Sequence, residues 1–142
     1  MDNSVISLII ASFALLVSII TGAYQIYRSN KEATLQRELT RSSLLTEILH
    51  TIYNYQKHRM NVERLLNEAK QNQRTELIPV LEKINKQNDK NEKISLETYD
   101  NMLFDKAPKP EFLERMRYFV VSMNNQSKKI SDAISKYHIK QK

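Results

Sequence analysis

The 142-residue chain has no cysteine, no tryptophan, one glycine and three prolines. Without cysteine there is no disulfide framework, no thiolate zinc site and no cysteine nucleophile. So little glycine and proline cannot supply the turns of a β-sandwich or barrel. Rossmann and P-loop phosphate sites need several glycines at fixed spacing, and Gly22 stands alone. What is left is an all-α chain, one small domain or a small domain with an appendage.

Charge is also missing from one long stretch. Asn3 to Tyr27 is 25 residues without Asp, Glu, Lys or Arg, mostly Ile, Leu, Val, Phe, Ala and Ser. About 20 such residues in a helix span a hydrocarbon core. Val5 to Tyr27 therefore reads as a transmembrane helix, with Tyr24 and Tyr27 at the far headgroup layer. A secretory signal would open on Lys or Arg, whereas this segment opens on Asp2. Asp2 is the only charge before Arg28, so the remainder carries all 22 basic residues against 15 acidic ones. Arg28, Lys31, Arg37 and Arg41 follow the span, and such an excess places the C-terminal side in the cytoplasm. The expected organisation is a single anchor over residues 1–30 and a basic cytosolic helical domain over 31–142.

That domain shows three helical stretches. Leu35, Leu39, Ser42, Leu45, Leu49, Ile52 and Tyr53 recur at three- and four-residue steps, continued by Val62, Leu65, Leu66 and Ala69. A bend at Ser42-Ser43 is expected, since one helix running on from the membrane would be unusually long. Thr75 is the expected N-cap of the second stretch, with Leu77, Leu81 and Ile84 on its apolar face. The run Asn85 to Lys93 has no apolar residue and reads as a polar connection, with a solvated helix segment as the alternative, ahead of a short helix with Ile94, Tyr99, Met102 and Leu103. Asp105 to Pro110 reads as a loop, and Pro110 as the first residue of the last helix. There Leu113, Met116, Val120, Met123, Ser127, Ile130, Ile134 and Tyr137 form a strict stripe, widened by Phe112 and Phe119. A small antiparallel helical bundle is the economical fold, a rod-like coiled coil the alternative.

Catalytic chemistry is sparse. His50 and His58 lie eight residues apart, roughly 80° and ~12 Å on an ideal helix, too far for one zinc ion. Glu47, His50 and Asn54 share a face, yet a polar surface cluster explains them. The expectation is a non-enzyme with no cofactor, no metal and no small-molecule substrate. The juxtamembrane bases suit anionic lipid. Lys128, Lys129, Lys136, Lys140 and Lys142, opposed only by Asp132, could hold nucleic acid or an acidic protein face, or simply solvate a helix end.

The span itself carries a pattern. Ser4, Ser7, Ala11, Ala14, Ser18, Thr21, Gln25 and Arg28 fill the a- and d-like positions of four heptads, while Ile6, Ile9, Ile10, Phe13, Leu16, Val17 and Ile20 suit lipid. Small residues let helices approach closely, and a 3.5-residue period implies left-handed crossing near 20°. A homo-oligomer packed through this stripe, or lining a lumen with it, is the expected assembly.

The charge-poor span, its KEATLQRELTR exit and the small helical domain resemble the single-pass membrane proteins of bacterial antiphage loci. The nearest in layout is the accessory membrane protein of type VI-B CRISPR systems. This resemblance implies a ring-shaped pore with a HEPN-like helical domain in the bacterial inner membrane. A HEPN nuclease needs Arg followed four to six residues later by His. No arginine here stands so to His50, His58 or His138, and no residue role is carried over. Three functions stay open: a pore or membrane-perturbing effector in defence, a membrane-tethered adaptor recruiting a cytosolic protein or nucleic acid, and a phage lysis protein of the spanin kind. The last needs the body outside the cytoplasm, against the charge bias.

Overall fold

The computed structural model describes residues 3–105 and 108–139. Its elements are α1 (Asn3–Gln71), a short 3-10 turn (Thr75–Leu77), α2 (Ile78–Phe104) and α3 (Pro110–Ile139), with no strand among the described residues. Internal contacts divide the chain into two units, Met1–Glu38 and Leu39–Lys142.

No helix boundary falls at Ser42-Ser43, where a bend is expected: α1 runs uninterrupted through both serines. No glycine or proline stands between Gly22 and Pro79, and both serines are exposed. Nothing local therefore competes with the helical ladder. The helix stops at Gln73, which takes the left-handed region with φ 54°. Arg74 N–H donates to Ala69 O at 2.9 Å, and Gln73 N–H to Lys70 O at 3.4 Å. This is a Schellman ending built without glycine, and so invisible to a search for that residue.

Thr75 is not the cap of α2. It opens the 3-10 turn, and α2 begins at Ile78 with no side-chain cap bond. Pro79 then falls in the first helical positions, where its missing N–H has no intrahelical partner to lose. The expected polar connection at Asn85 to Lys93 is overturned as well: these residues are the middle of α2. Asn85, Asn88, Asn91, Glu92 and Ser95 recur at helical steps. Of these, Asn88, Asn91, Glu92 and Ser95 are buried. The polar run is an inward-facing stripe, in which Asn88 and Glu92 find polar partners on α1. Pro110 opens α3 as expected, and Lys106 and Ala107 of the preceding loop lie outside the described residues.

Within Leu39–Lys142 the helices share two hydrophobic clusters. Leu44, Ile48 and Ile52 of α1 meet Met102 of α2 and Leu113 and Val120 of α3. Further along, Tyr55, Val62, Leu65 and Ala69 meet Leu81, Met123, Ile130 and Ile134. As α1 ascends from 44 to 69 its α2 partners descend from 102 to 81, while its α3 partners ascend. The α3 stripe is inward as its spacing indicates: Leu113, Val120, Met123, Ser127, Ile130 and Ile134 are all buried. The phase expected for α1 is only partly right. Leu45 packs at the edge of the core, but Leu35, Leu39, Leu49 and Tyr53 are exposed, at 54%, 57%, 47% and 60%. Leu44, Ile48 and Tyr55 take the inward positions.

Arg41 joins α1 to the end of α2. Its Nε donates to Met102 O at 3.0 Å and its Nη2 to Leu103 O at 2.7 Å. These carbonyls lie in the last turn of α2, where no intrahelical donor is left. One of the four bases that follow the apolar segment thus also caps a helix.

Candidate functional site

Among the described residues one helix, α1, is long and apolar enough to cross a membrane, with mean hydropathy 1.6 over its 18-residue window and none of that window buried within the chain. Phe13, Leu15, Ile19 and Ile20 are each 60% exposed or more. Ala11, Ala14, Ser18, Thr21, Gln25 and Arg28 are exposed too; the side chains of Ser4 and Ser7 lie outside the described residues. Thr21 Oγ1 donates to Val17 O at 2.8 Å, so its proton is satisfied inside its own helix. Arg28 Nε meets Glu32 Oε1 at 2.8 Å, one turn on. A Cβ added at Gly22 would meet no atom within 4 Å, and no contact within the chain requires a glycine there.

In the second unit a groove of about 630 Å³ runs between α1 and α3. His50, Asn54, Lys57, His58 and Asn61 line it from α1, and Asn124, Ser127, Lys128 and Ser131 from α3. Every lining residue is polar and none is acidic. His58 is buried, with Nε2 3.0 Å from Ser127 Oγ. Burial lowers the His58 pKa from its ordinary value; the Ser127 interaction opposes that shift and the Lys57 charge adds to it. Beside the groove, Thr51 Oγ1 lies 2.9 Å from Glu47 O and 2.7 Å from Asn124 Oδ1. The expected face of Glu47, His50 and Asn54 is divided: His50 and Asn54 enter this groove, whereas Glu47 lines another with Arg117 and Val121.

The lysines of α3 are also divided. Lys128 faces the α1 side, while Lys129 borders a groove against α2 with Val80, Lys83 and Gln87. Lys136 is exposed on α3, and Lys140 lies outside the described residues. The groove's inner wall was half legible: Ser127 stands in the α3 stripe, but His58 gives no sign of burial without the true phase of α1.

Between Leu81 and Met102 the buried face of α2 is polar. Asn88 Nδ2 donates to Tyr55 O at 2.8 Å, and Glu92 Oε2 lies 3.1 Å from Arg59 Nη1. Tyr55 Oη donates to Met123 O at 2.8 Å. Burial pushes the Tyr55 pKa up to about 12, and the neighbouring Asn91 amide partly opposes that shift. Asn85 Oδ1, Asn88 Oδ1 and Asn91 Nδ2 are buried without a hydrogen bond in the structure. Among the described residues no three His, Asp or Glu side chains gather as metal ligands. Compared with protein families, curated proteins and solved structures, the chain matches none of them.

Proposed function

We propose that the chain is a single-pass protein of the bacterial inner membrane, with its N-terminus outside and a small antiparallel three-helix bundle in the cytoplasm. Copies associate through the transmembrane stripe and act as a pore or membrane-perturbing effector governed by the bundle, in antiphage defence. The carrying observation is the apolar segment that its own chain leaves wholly uncovered. Each Leu, Ile or Phe in it gains about 1.5–3 kcal/mol on leaving water, and lipid is the cover that fits its length. The basic exit supports the orientation. Gly22 supports association: a glycine inside a helix costs about 1 kcal/mol relative to alanine, and close approach of another helix gives it a use.

Membrane fractionation with C-terminal alkaline-phosphatase and fluorescent-protein fusions tests the topology. A fluorescent, phosphatase-inactive fusion is the expected result; the reverse pattern overturns the orientation. Ion flux through liposomes, blocked by a charged thiol reagent at Ser18→Cys, tests the pore. A mass of one copy in detergent would refute self-association.

A second reading, a membrane-tethered adaptor, is favoured by the acid-free groove around Lys57 and Lys128. It predicts salt-sensitive binding of an acidic protein or nucleic acid that Lys57→Glu/Lys128→Glu abolishes. Binding indifferent to salt or to both substitutions removes it.

A further inference from the structure

The large exposed apolar residues of α1 after Tyr27 are Leu35, Leu39, Leu49, Tyr53 and Met60. Counted along the sequence, all five fall in one heptad register: 35, 39, 42, 46, 49, 53, 56, 60. This register continues, without slip, the spacing of the transmembrane stripe at 4, 7, 11, 14, 18, 21, 25 and 28. The intervening members are Ser42, Thr46 and Gln56, all exposed. Eight successive positions thus carry no charge in a chain that is 27% charged. Glu32 and Glu63 bound the run on either side.

We propose that two copies of the chain pair in parallel along this outer face of α1, from Leu39 to Met60 in the second unit, with Leu35 carrying the same spacing in the first. The proposal rests on the membrane reading and on self-association, and adds where the pairing continues outside the membrane and how many strands it has; two strands enclose no lumen, so it selects the membrane-perturbing effector over the pore.

Three observations select a second copy as the occupant. A seam with a 3.5-residue period needs a partner helix of the same period, and the identical helix has it. Copies inserted in one membrane with the same orientation present identical positions to one another. A self-pairing face must then carry no charge, because like charges would stand directly opposed. An acidic or basic partner would instead leave a charged face here.

The third observation is area. Leu39, Leu49, Tyr53 and Met60, 47–62% exposed, offer on the order of 450 Å² per copy, against about 800 Å² per partner in a standard interface. A seam of that size suits chains already concentrated and aligned by a membrane helix.

The positions beside the seam limit it to two strands. Leu45 and Ile52 would flank it, and both are engaged in the chain's own core. Bundles of three or more parallel helices need those flanks free. On the other side His50 and Lys57 belong to the polar groove. The pairing face is one helix row wide.

The test uses the full chain in native membranes, where the absence of cysteine leaves no background. Leu49→Cys, Met60→Cys and Ser18→Cys are oxidised with copper–phenanthroline, with Glu97→Cys on the exposed face of α2 as reference. The expected result is a disulfide-linked dimer at Leu49→Cys and Met60→Cys at least tenfold above the reference. If Ser18→Cys crosslinks while both cytosolic positions stay at reference level, this seam is refuted and transmembrane association stands. If the cytosolic positions crosslink and Ser18→Cys does not, the seam stands and the transmembrane stripe loses its assigned role. If none crosslinks, both readings fall.

Leu49→Glu/Tyr53→Glu provides an independent arm. Both sites are exposed, so helicity by circular dichroism should be unchanged, while crosslinking through Met60→Cys should fall to the reference level. Unchanged crosslinking in that background overturns the proposal, as does a detergent mass of three copies.

Discussion

Replacing Tyr55 with phenylalanine should lower stability at neutral pH and raise it at alkaline pH. The ring stays in place, so the change is confined to one hydroxyl. That hydroxyl donates to Met123 O at 2.8 Å, a bond worth about 1 kcal/mol net. The Met123 carbonyl lies inside α3 and keeps its helical N–H partner, so no acceptor is orphaned. Wild type should therefore be more stable than Tyr55→Phe by about 1 kcal/mol at pH 7.

The Tyr55 pKa is raised from the ordinary 10 to about 12 in the fold. Between those values the unfolded chain has lost the phenolic proton and the folded chain still holds it. Stability from this group is fully present below pH 10 and lost as pH rises through 12. Two pKa units correspond to about 2.7 kcal/mol. The variant lacks this loss, so the two stability curves should cross at about pH 11. Urea unfolding of the full chain in maltoside micelles, followed by circular dichroism from pH 7 to 12, measures the crossing. Absorbance at 295 nm checks the cause. Wild type has seven tyrosines, and subtracting the six-tyrosine variant isolates one phenol that should titrate near 12. A difference spectrum titrating near 10, or a constant gap between the curves up to pH 12, would refute the reasoning.

Other substitutions follow from the same packing. Ile130→Ala opens a cavity in the cluster around Leu65 and Leu81 and should cost about 2–5 kcal/mol in urea unfolding, whereas exposed Val121→Ala should stay within about 0.5 kcal/mol. Gln73→Gly relieves a side chain from the left-handed region and should stabilise by up to about 1 kcal/mol, while Gln73→Val should destabilise. For His58 the folded pKa lies below the unfolded value, so its stabilisation is present above pH 6.5 and lost as pH falls through the folded pKa. His58→Gln should flatten that acid limb in a pH series of melting temperatures; an unchanged limb would assign it to other groups.

The sequence was most readable where one periodicity ran undisturbed. In α3 the stripe from Leu113 to Tyr137 and the Pro110 start both correspond to the structure, because inward positions there are apolar apart from Ser127. The middle of α2 misled for the opposite reason. Asn85, Asn88, Glu92 and Ser95 have a clear helical period, but amides and carboxylates normally face water, so the period by itself carries no inward meaning. The partners of Asn88 and Glu92, the Tyr55 carbonyl and the Arg59 guanidinium, lie on another helix and leave no local trace. In α1 two apolar rows are superposed, one inward through Leu44, Ile48 and Tyr55 and one outward through Leu39, Leu49 and Tyr53. Spacing alone cannot assign which row meets the core. The polar groove was obscured by the same ambiguity, since His58 belongs to the inward row.

The contact between α2 and α1 has a mechanical consequence. Apolar faces tolerate sliding, since one methyl group substitutes for another at little cost. Here Asn88 on the Tyr55 carbonyl, Glu92 beside Arg59 and the Arg41 guanidinium on Met102 and Leu103 act as pins at three levels. A shift of one helical turn, 5.4 Å, would break all three and set amides against Ile48 or Ile52. Translation of α2 along α1 is thus closed to this unit. Detachment is the cheaper motion, because water can satisfy the amides that the folded interior leaves unpaired. Such a helix leaves as a block, and its backbone amides should exchange with solvent together, ahead of those in α3.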